Sequence, residues 1–451
     1  MEEGRRPLDV CVIGAGPAGL CTLRHATAGP SAAHFRCVAF EQSGALGGTW
    51  FYREETEESD GTPVPSSMYS CLRTTLPREV MQFEGFPCRA GGEGRSFLHH
   101  TEVLKYLQDY AHHYNLLDHV KFYSRVTSVR PLVLADEGEG GGRHQRGRKW
   151  EVLVQDTRTN QVRRHAFDAV FVCNGHYSEP NVPPVPGLEL FRGTVMHSRE
   201  FRRKEAFAGR TVLVWGASSS GLDIALEICA VAKKVIVSHR VPPVISSALP
   251  LNVVEAPNVV SAYETGFRFE DGTNCDVDDF MFCTGYIFHF PFLSDDCGIQ
   301  VHENRVTPLY KHLVNIEHPS MCFVGIPMLM LPFVLFDYQV RYFLGVLDGS
   351  LVLPSREEML RDSDRDFRRR VEGLKMPPRH AHLLDWMQWE YYEDLAARIG
   401  LPAPDPVVRA IYDDTRRARR DRVMHYKTYV YRVIDESQYA VQENEKIYNN
   451  C

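Results

Sequence analysis

The chain has 451 residues, and because a single hydrophobic core stops growing at roughly 250–300 residues, two or three compact units are expected. Hydrophobic residues make up 44% and charged residues 24% of the sequence, which excludes a collagen-like, coiled-coil or largely disordered chain. The net charge of -7 argues against a nucleic-acid-binding protein, because such a protein usually carries a basic face.

The 12 cysteines are scattered, and no Cys-x-x-Cys pair occurs. Several, such as Cys11, Cys173 and Cys283, stand in apolar runs where a reduced thiol behaves as a small hydrophobe. This usage favours a reducing compartment, most simply the cytoplasm. The polar first nine residues are not followed by a secretory signal pattern, and residues 448–451 carry no prenylation pattern.

Residues 321–336 form the stretch most similar to a membrane segment. They fall short of the ~18 apolar residues that a span needs, and Gly325, Pro327 and Pro332 interrupt them. We therefore predict a buried strand followed by an apolar loop, and no integral membrane segment.

Six short apolar runs are typical of buried parallel strands, and two of them lead directly into a glycine-rich turn and a helical pattern. Such strand–glycine–helix units indicate an α/β fold with parallel sheets covered by helices. A helix is predicted over residues 102–114. The chain becomes helical and charge-rich after about residue 355, where the arginines of 368–370 and 416–420 are interpreted as solvated helix faces. The six predicted strands are residues 10–13, 37–40, 169–172, 211–215, 234–237 and 279–283.

Two segments are predicted to lack regular structure. Residues 135–148 are rich in glycine and charge, which predicts a flexible loop between strands at 121–129 and 150–155. Residues 179–187 contain repeated prolines, which fix an extended path and predict a linker.

The first predicted strand runs into a dinucleotide-binding fingerprint, Gly14-Ala-Gly16-Pro17-Ala18-Gly19. The first glycine permits the tight turn, the second lets the backbone approach a pyrophosphate, and the third allows close helix–strand packing. The helix that starts here offers free N–H groups to the phosphates. Glu41 follows the next strand, where an acid accepts hydrogen bonds from a ribose and repels a 2′-phosphate. This half is predicted to bind FAD or NAD.

The second fingerprint keeps its outer glycines but has a serine in the middle, and it comprises Gly216, Ser218, Ser219, Ser220 and Gly221. The strand after its helix ends in Ser238, His239 and Arg240 instead of an acid. An arginine on a surface turn is common, but at this position its charged fork is suited to a 2′-phosphate, so this half is predicted to select NADPH.

Two sites of opposite ribose preference imply that a hydride passes from NADPH to a flavin. We predict an α/β protein with two Rossmann-like dinucleotide-binding domains, each a three-layer ββα unit built on a doubly wound sheet. The NADPH domain, residues 181–280, is inserted in an FAD domain formed by residues 1–180 and 281–451. Substrate is expected in the cleft between them.

The segment Phe191-Arg-Gly193-Thr-Val-Met-His197-Ser-Arg-Glu-Phe201 resembles the FxGxxxHxxx(Y/F) pattern of the class B flavin-containing monooxygenases. Residues 46–50, 173–177 and 282–286 resemble the GGTW, CNGHY and ATGY segments of this family, and Pro332, Phe333 and Gln339 fall in a further shared stretch. The resemblance covers residues 10–431. Residues 67–81 and the polar C-terminus are most similar to the insect branch, which includes general monooxygenases and pyrrolizidine-alkaloid (senecionine) N-oxygenases.

The resemblance implies an oxidoreductase that uses FAD, NADPH and O2 and forms a C4a-hydroperoxyflavin. It would oxygenate nitrogen or sulfur in small lipophilic amines, alkaloids or sulfides, with detoxification as an implied role. NADP+ would stay bound, and Gly193 and His197 would serve the interdomain hinge. Phe201-Arg202 stands where Baeyer–Villiger relatives have Trp-Pro, which favours N- or S-oxygenation. Further cofactor contacts are implied at Gly48, Thr49, Trp50, Val126, Thr284, Gly285 and Gln339.

One departure concerns Thr75, which stands where the family usually has the Asn of Leu-x-Thr-Asn-x-Pro. A threonine has one short hydroxyl, whereas an amide donates and accepts at once and reaches further. Thr75 is therefore the candidate catalytic position, and we expect more hydrogen peroxide per NADPH, unless a water restores the contact. A largely uncoupled NADPH oxidase and a non-catalytic flavin-binding protein stay open as alternatives.

Two weaker signals concern metal and flavin contacts. His99-His100 and His112-His113 lack carboxylate or cysteine partners at ligand spacing, so no metal site is predicted. Asp279 stands before the ATGY-like strand end and either positions the flavin ribityl chain or caps a turn. A homo-oligomer is possible.

Overall fold

The computed structural model describes residues 6–57, 61, 63–64, 66–132, 149–240 and 249–444. The predicted loop at 135–148 and residues 448–451 lie outside the described residues. The α-helices are α1 (Pro17–Ala28), α2 (His100–His113), α3 (Ser219–Ile228), α4 (Pro332–Asp348), α5 (Arg356–Arg368), α6 (Gln388–Arg398) and α7 (Pro406–Asp421).

Most of the strands in the described residues lie between α1 and α4, and none lies between α4 and α7. The first twelve are β1 (Leu8–Ile13), β2 (Phe35–Phe40), β3 (Val120–Lys121), β4 (Ser124–Leu132), β5 (Lys149–Asp156), β6 (Val162–Phe167), β7 (Ala169–Val172), β8 (Glu179–Pro180), β9 (Thr194–His197), β10 (Thr211–Trp215), β11 (Lys234–Ser238) and β12 (Val253–Ala256). The others are β13 (Val259–Tyr263), β14 (Gly266–Phe269), β15 (Asn274–Asp276), β16 (Asp279–Phe282), β17 (Tyr286–Ile287), β18 (Gln300–His302), β19 (Arg305–Thr307), β20 (Leu309–Tyr310), β21 (Val314–Asn315), β22 (Met321–Phe323), β23 (Tyr429–Val433) and β24 (Tyr439–Glu443).

A seven-stranded sheet with the order β20-β21-β22-β7-β1-β2-β3 carries the first fingerprint. Strand β1 pairs in parallel with both β2 and β7, so it is central and covered on both faces. Its side chains alternate between two cores. Val10 and Val12 belong to the core formed with α1, whereas Cys11 and Ile13 belong to the core formed with the antiparallel sheet β4-β5-β6. This half therefore has three layers.

A five-stranded parallel sheet with the order β12-β11-β10-β16-β9 carries the second fingerprint. Its central strand β10 alternates in the same way. Val212 and Val214 pack with α3, and Leu213 and Trp215 pack with the antiparallel sheet β13-β14-β15. The same three-layer unit thus occurs twice, and the predicted α/β fold is confirmed.

The chain enters and leaves the second unit through two segments that pair with each other. Strands β8 and β17 are antiparallel, the backbone N–H of Asn181 donates to Gly285 O at 2.9 Å, and the Thr284 hydroxyl donates to Asn181 O at 2.5 Å. His197 Nε2 donates to the same Gly285 carbonyl at 3.0 Å. The predicted linker at 179–187 is therefore held against the return crossing, with His197 at the junction.

The predicted strands and the helix at 102–114 are present with small shifts at their ends, and four local predictions are wrong. The region after residue 355 is helical only as far as α7, because β23 and β24 form an antiparallel hairpin after it. Arg370, interpreted as part of a solvated helix face, is 3% exposed and donates to Asp366 Oδ2 at 2.7 Å.

The predicted strand 121–129 is divided into β3 and β4 at Tyr123, whose φ is 53°. In residues 321–336 the strand is correct, but Pro332 begins helix α4 instead of continuing a loop. Proline suits the first helical position because its missing N–H is not needed there. Among the described residues, no helix has the length and apolarity to cross a membrane.

Candidate active site

A cleft of about 1950 Å³ opens at the carboxyl ends of the strands that carry both fingerprints. Ligand sites commonly occupy ~300–1000 Å³, so this space is large enough for more than one ligand. Both fingerprints line it, which is the arrangement expected of parallel α/β sheets, whose ligands bind beyond the carboxyl ends of the strands.

The first fingerprint is shaped by close backbone contacts. Gly14 has a φ of +101°, and a Cβ on it would lie 2.8 Å from Cys173 O. A Cβ on Gly19 would lie 2.0 Å from Gly14 O, so α1 packs directly on the turn. A Cβ on Gly16 would lie 3.4 Å from the Cα of Gly48, which brings the GGTW-like segment against the fingerprint. These contacts leave a side-chain-free cradle that fits the pyrophosphate of a dinucleotide.

Helix α1 presents unused donors to this cradle. It begins at Pro17 after the N-cap Gly16, and no side chain caps it. The first N–H groups of a helix have no intrahelical acceptor, so those of Ala18 and Gly19 are available to phosphate oxygens.

Glu41 joins the fingerprint to the end of β2. Its Oε2 accepts the N–H of Ala15 at 2.9 Å, and its Oε1 accepts the N–H and the hydroxyl of Ser43 at 2.9 and 2.8 Å. A carboxylate offers about four acceptor positions, so one remains for a ribose hydroxyl. Glu41 lines the cleft, as the predicted ribose contact requires.

The second fingerprint has the same backbone contacts as the first. Gly216 has a φ of +118°, and a Cβ on it would lie 2.3 Å from Cys283 O. A Cβ on Gly221 would lie 1.7 Å from Gly216 O. Helix α3 begins after Ser218, again without a side-chain cap. The turn is thus built for a second dinucleotide phosphate, with three serine hydroxyls at the cleft.

Arg240 lies exposed on the cleft just after β11, and its guanidinium contacts no other described residue through an ion pair or hydrogen bond. The adjacent His239 contacts Glu255 Oε1 through Nε2 at 3.0 Å, and its buried Nδ1 has no partner in the described part of the chain. A free charged fork at this point fits a 2′-phosphate.

The Thr75 segment is fixed by backbone pairing next to the first fingerprint. The Thr74 N–H donates to Leu98 O at 2.8 Å, and the Thr74 hydroxyl accepts the N–H of Leu98 at 3.0 Å. Thr75 therefore lies on the cleft, and its hydroxyl makes no hydrogen bond to another described residue.

Most of the predicted site residues line the cleft. Those at its surface are Gly14, Gly16, Pro17, Ala18, Glu41, Gly48, Thr49, Trp50, Thr75, Val126, Gly216, Ser218, Ser219, Ser220, Arg240, Thr284 and Gly285.

Four predicted residues lie behind the surface of the cleft. Gly19 and Gly221 act through packing, and the buried Ser238 hydroxyl donates to Pro257 O at 2.6 Å. Gln339 is fully buried, and its Oε1 accepts the N–H of Gly325, a cleft residue, at 2.9 Å. Ser238 and Gln339 therefore support the cleft instead of facing it.

Asp279 lies at the amino end of β16, away from the cleft. It is 3% exposed and accepts a hydrogen bond from Arg210 Nη2 at 2.8 Å. The flavin-ribityl interpretation is therefore wrong, and the residue is a structural ion-pair partner of the second sheet.

The histidine pair before α2 has structural partners. His99 caps α2, with Nδ1 accepting the Thr101 N–H and Nε2 donating to Ser70 O at 2.9 Å. His100 Nε2 also donates to Ser70 O, at 3.2 Å. Among the described residues, Cys21, His25 and Asp337 form a buried group of metal-ligand type. The distance between His25 Nε2 and Asp337 Oδ1 is 2.7 Å, which is that of a hydrogen bond.

Two cleft arginines carried no recognisable signal in the sequence, and His176 of the CNGHY-like segment was not predicted as a site residue. Arg416 and Arg419 of α7, interpreted as a solvated helix face, line the cleft, and Arg419 Nη1 donates to Ser219 Oγ at 3.3 Å. His176 Nε2 is buried without a described partner, and burial lowers the pKa of this imidazole to about 4. It is therefore neutral at pH 7. Only the folding of distant segments brings these groups to the fingerprints.

The charges around the cleft are unequal. Among the described lining residues the carboxylates are Glu41 and Asp223, and both are hydrogen-bonded to the chain itself. The arginines of the same lining are Arg53, Arg73, Arg125, Arg158, Arg240, Arg379, Arg416 and Arg419. The cleft is therefore suited to anionic ligands such as dinucleotide phosphates.

Comparison with known protein families identifies the family of this chain with two dinucleotide cradles. The family model described as flavin-binding monooxygenase-like matches residues 8–249 and 242–444. The chain belongs to this family. The sequence-based resemblance to flavin monooxygenases is thereby confirmed, as is the prediction of an oxidoreductase.

Plant and bacterial proteins are among the relatives of this flavin monooxygenase. The Arabidopsis thaliana protein named flavin-containing monooxygenase FMO GS-OX-like 3 is 36% identical over 410 residues, which cover 88% of each chain. The structure of S-allyl-L-cysteine S-oxygenase from Allium sativum has a TM-score of 0.83 and 33% identity, and covers 93% of this chain and 95% of its own. The structure of Tmm from Pelagibacter sp. strain HTCC7211 has a TM-score of 0.82 and 27% identity, and the match covers 97% of this chain and 96% of Tmm.

Proposed function

We propose that this flavin monooxygenase uses NADPH and O2 to oxygenate a nucleophilic sulfur or nitrogen in small lipophilic molecules. The observation that carries the proposal is that two dinucleotide cradles, one followed by Glu41 and the other by Arg240, open onto one cleft. The bound flavin would supply the hydride acceptor and the oxygen-activating centre, and the protein would orient the ligands and exclude water.

The assignment of cofactors to the two halves follows from the same residues. The flavin half, residues 1–180 and 281–451, contains the seven-stranded sheet, and its Glu41 fits an unphosphorylated ribose. Strand β16 of the other sheet extends to Phe282, two residues past this boundary. The NADPH half comprises residues 181–280, and Arg240 follows its second strand, β11, at the cleft. FAD and NADPH are therefore the proposed cofactors.

The apolar part of the cleft supports a lipophilic substrate. An apolar access path to the cleft is expected for such a substrate, and its lining includes Met328, Leu329, Met330, Pro332 and Phe336. Such side chains would also keep water from the reacting centre.

A sulfide is favoured over an amine by the charges of the cleft. Of the two carboxylates in its described lining, Asp223 is engaged by Tyr69 and Lys427. The one acceptor position left on Glu41 would be taken by the ribose, so neither carboxylate is available to hold an ammonium group. Relatives named GS-OX-like monooxygenase and S-allyl-L-cysteine S-oxygenase agree with this choice. Oxygenation of pyrrolizidine alkaloids at nitrogen rests on the resemblance of residues 67–81 and of the polar C-terminus to the insect branch, and it is the second candidate.

The test of the function begins with the absorbance spectrum of the purified chain. We expect a yellow protein whose flavin is bleached anaerobically by NADPH, followed by oxygen uptake that rises with a thioether more than with a tertiary amine at pH 7. A colourless protein that does not take up FAD would refute the proposal. A flavin that stays oxidised with NADPH would favour the non-catalytic alternative.

Thr75 supports a further alternative, a largely uncoupled NADPH oxidase that releases hydrogen peroxide. Its hydroxyl is unengaged by the described residues and shorter than the amide that the family pattern expects. The ratio of peroxide and oxygenated product to NADPH separates this outcome from coupled turnover.

The cellular setting is proposed from the thiols. The cysteines described by the structure are all free, and most are buried, which supports a reducing compartment such as the cytoplasm. The net charge and the dinucleotide cleft support small-molecule partners and no nucleic acid. A homo-oligomer stays a prediction.

A further inference from the structure

Three side chains from distant segments meet between the two halves. Asp223 lies in the second turn of α3, directly behind the NADPH fingerprint. Its Oδ2 accepts the hydroxyl of Tyr69 and its Oδ1 pairs with Lys427 Nζ. We call Tyr69, Asp223 and Lys427 the interdomain joint, because Tyr69 and Lys427 both belong to the flavin half.

The joint is largely withdrawn from water. The side chains of Asp223 and Lys427 are 13% and 17% exposed, and Tyr69 is buried against Phe201 at a ring distance of 5.2 Å. Burial opposes the charge on Lys427, but the attraction of Asp223 outweighs it and the pKa of the ammonium is raised. Burial and the Asp223 carboxylate raise the pKa of Tyr69 well above its usual value. Lys427 is therefore charged and Tyr69 is a hydroxyl donor at neutral pH.

The joint is connected to the Thr75 segment through the backbone. Lys427 Nζ also donates to Arg73 O at 3.2 Å, and Arg73 Nη2 donates back to Lys427 O at 3.1 Å and to Phe97 O at 3.1 Å. Arg73 is two residues before Thr75, whose segment is paired with Leu98. A movement of α3 would therefore displace Asp223 and Lys427, and through Arg73 it would shift the backbone at Thr75.

Burial of an ion pair costs desolvation energy, so such a pair is weak evidence of added stability, whereas loss of one partner leaves an uncompensated charge. The hydrogen bonds of the interdomain joint require a strict geometry, because hydrogen bonds weaken steeply when the distance or the angle changes. The joint tolerates one arrangement of α3 relative to the flavin half. Transfer between two bound groups needs reacting atoms about 3–3.5 Å apart, and a displacement of ~1 Å costs about 100-fold in rate.

We propose that Tyr69, Asp223 and Lys427 are positioning residues that set the distance between the nicotinamide and the flavin. The inference rests on the proposed function. It goes further by assigning the alignment of the two halves to a polar joint outside both fingerprints and outside the interdomain linkers.

The test compares Asp223→Asn with a matched control, Asp279→Asn. Both carboxylates pair with a cation, but the partner of Asp279 is Arg210 of the same half. With stopped-flow absorbance we expect Asp223→Asn to lower the limiting rate constant of flavin reduction about tenfold or more, with the Kd for NADPH changed by less than about threefold. Asp279→Asn is expected to lower Tm and leave the limiting rate constant unchanged.

Hydrogen exchange of the flavin-free protein gives a readout independent of turnover. The amides of Thr74 and Leu98, which donate to Leu98 O and to the Thr74 hydroxyl, are expected to exchange faster in Asp223→Asn than in the wild type or in Asp279→Asn. Tyr69→Phe is expected to give a smaller change in the same direction. Lys427→Arg keeps the charge and is expected to retain more of the reduction rate than Lys427→Met.

An unchanged limiting reduction rate in Asp223→Asn would overturn the proposal, as would an equal loss in both variants, since the effect would then be general destabilisation. A raised Kd with an unchanged limiting rate would also overturn it and make Asp223 a coenzyme ligand. Failure of the wild type to bind flavin would refute the proposed function instead, and the exchange comparison would still report whether the joint orders the Thr75 segment.

Discussion

The flavin half and the NADPH half have nearly the same fingerprint backbone and different side chains around it. In each, the first glycine has positive φ and faces a cysteine carbonyl, and the last glycine packs on the carbonyl of the first. The residue after the second strand differs, being Glu41 in one half and the His239-Arg240 pair in the other. We therefore expect the backbone geometry to allow a dinucleotide to bind and the side chain at the strand end to select which dinucleotide it is.

The middle position of the fingerprint differs for a steric reason. In the flavin half, Gly16 lies against the backbone of Gly48, and a side chain there would press on a second chain segment. In the NADPH half, Ser218 is exposed on the open cleft. A glycine is needed in the first half because another segment crosses it, and a serine is tolerated in the second because none of the described segments does so.

We expect the largest difference in effect between the two halves when the last glycine of each fingerprint is replaced by alanine. In Gly19→Ala the added Cβ would lie 2.0 Å from a backbone oxygen, and in Gly221→Ala 1.7 Å. We expect Gly19→Ala to be purified without flavin, and Gly221→Ala to be yellow but not reduced by NADPH. Flavin absorbance and anaerobic bleaching measure both effects. In the control Gly373→Ala, where nothing lies within 4 Å of the new Cβ, both readouts should match the wild type. Retention of both cofactors by either fingerprint variant would contradict the steric argument.

Removal of the Arg240 charge should change the choice of coenzyme. A hydrogen bond to a charged group contributes about 1.5–3 kcal/mol, so Arg240→Ala is expected to raise the KM for NADPH by about 10- to 100-fold. The KM for NADH should hardly change, because NADH lacks the 2′-phosphate. Initial rates with both coenzymes provide the check, with Arg379→Ala as the control for loss of another cleft arginine. Equal effects on NADPH and NADH would show that Arg240 does not contact the 2′-phosphate.

The amide of the family pattern can be restored at Thr75. One added hydrogen bond contributes about 0.5–1.5 kcal/mol, so Thr75→Asn is expected to lower the peroxide released per NADPH by about two- to tenfold. Peroxide is measured against NADPH consumption at equal flavin content. Identical coupling in the two proteins would mean that a water already fills the role.

The smallest expected effect is on the free energy of unfolding at acidic pH, and it concerns His197 at the junction of the two halves. Burial lowers the pKa of His197 in the folded protein to about 4, below its ordinary 6.5, so the unfolded chain binds more protons between these values. The free energy of unfolding should therefore fall as pH drops from about 6.5 towards 4. His197→Gln should lower Tm at pH 7 but show a shallower decrease towards pH 5. Parallel Tm curves for the two proteins would rule out this contribution.

Local features could be predicted from the sequence because they depend on neighbouring residues. The apolar runs became β1, β2, β7, β10, β11 and β16, and both fingerprints form the expected turns, since glycine spacing fixes the backbone there. The beginning of α4 was missed because Pro332 is compatible with a break and with a first helical turn. The backbone dihedral of Tyr123 decides the split between β3 and β4, and composition carries no signal for it.

Distant contacts could not be predicted in this way. Arg419 and Ser219 are 200 residues apart, Asp223 and Lys427 are 204, and Arg73 and Lys427 are 354. Nothing in the pattern around Arg419 distinguishes it from its solvated neighbours. Gln339 was predicted as a cofactor contact because it lies in a shared stretch, but a shared residue can equally support the backbone behind a site.

The paired crossings β8 and β17 place the points of entry to and exit from the inserted unit side by side. Removal of that unit would leave two ends close enough for a short turn to rejoin them, without disturbing the order of the seven-stranded sheet. The inserted unit therefore joins the rest of the chain at two neighbouring points, so replacing it with another such unit would leave the connections of the seven-stranded sheet unchanged.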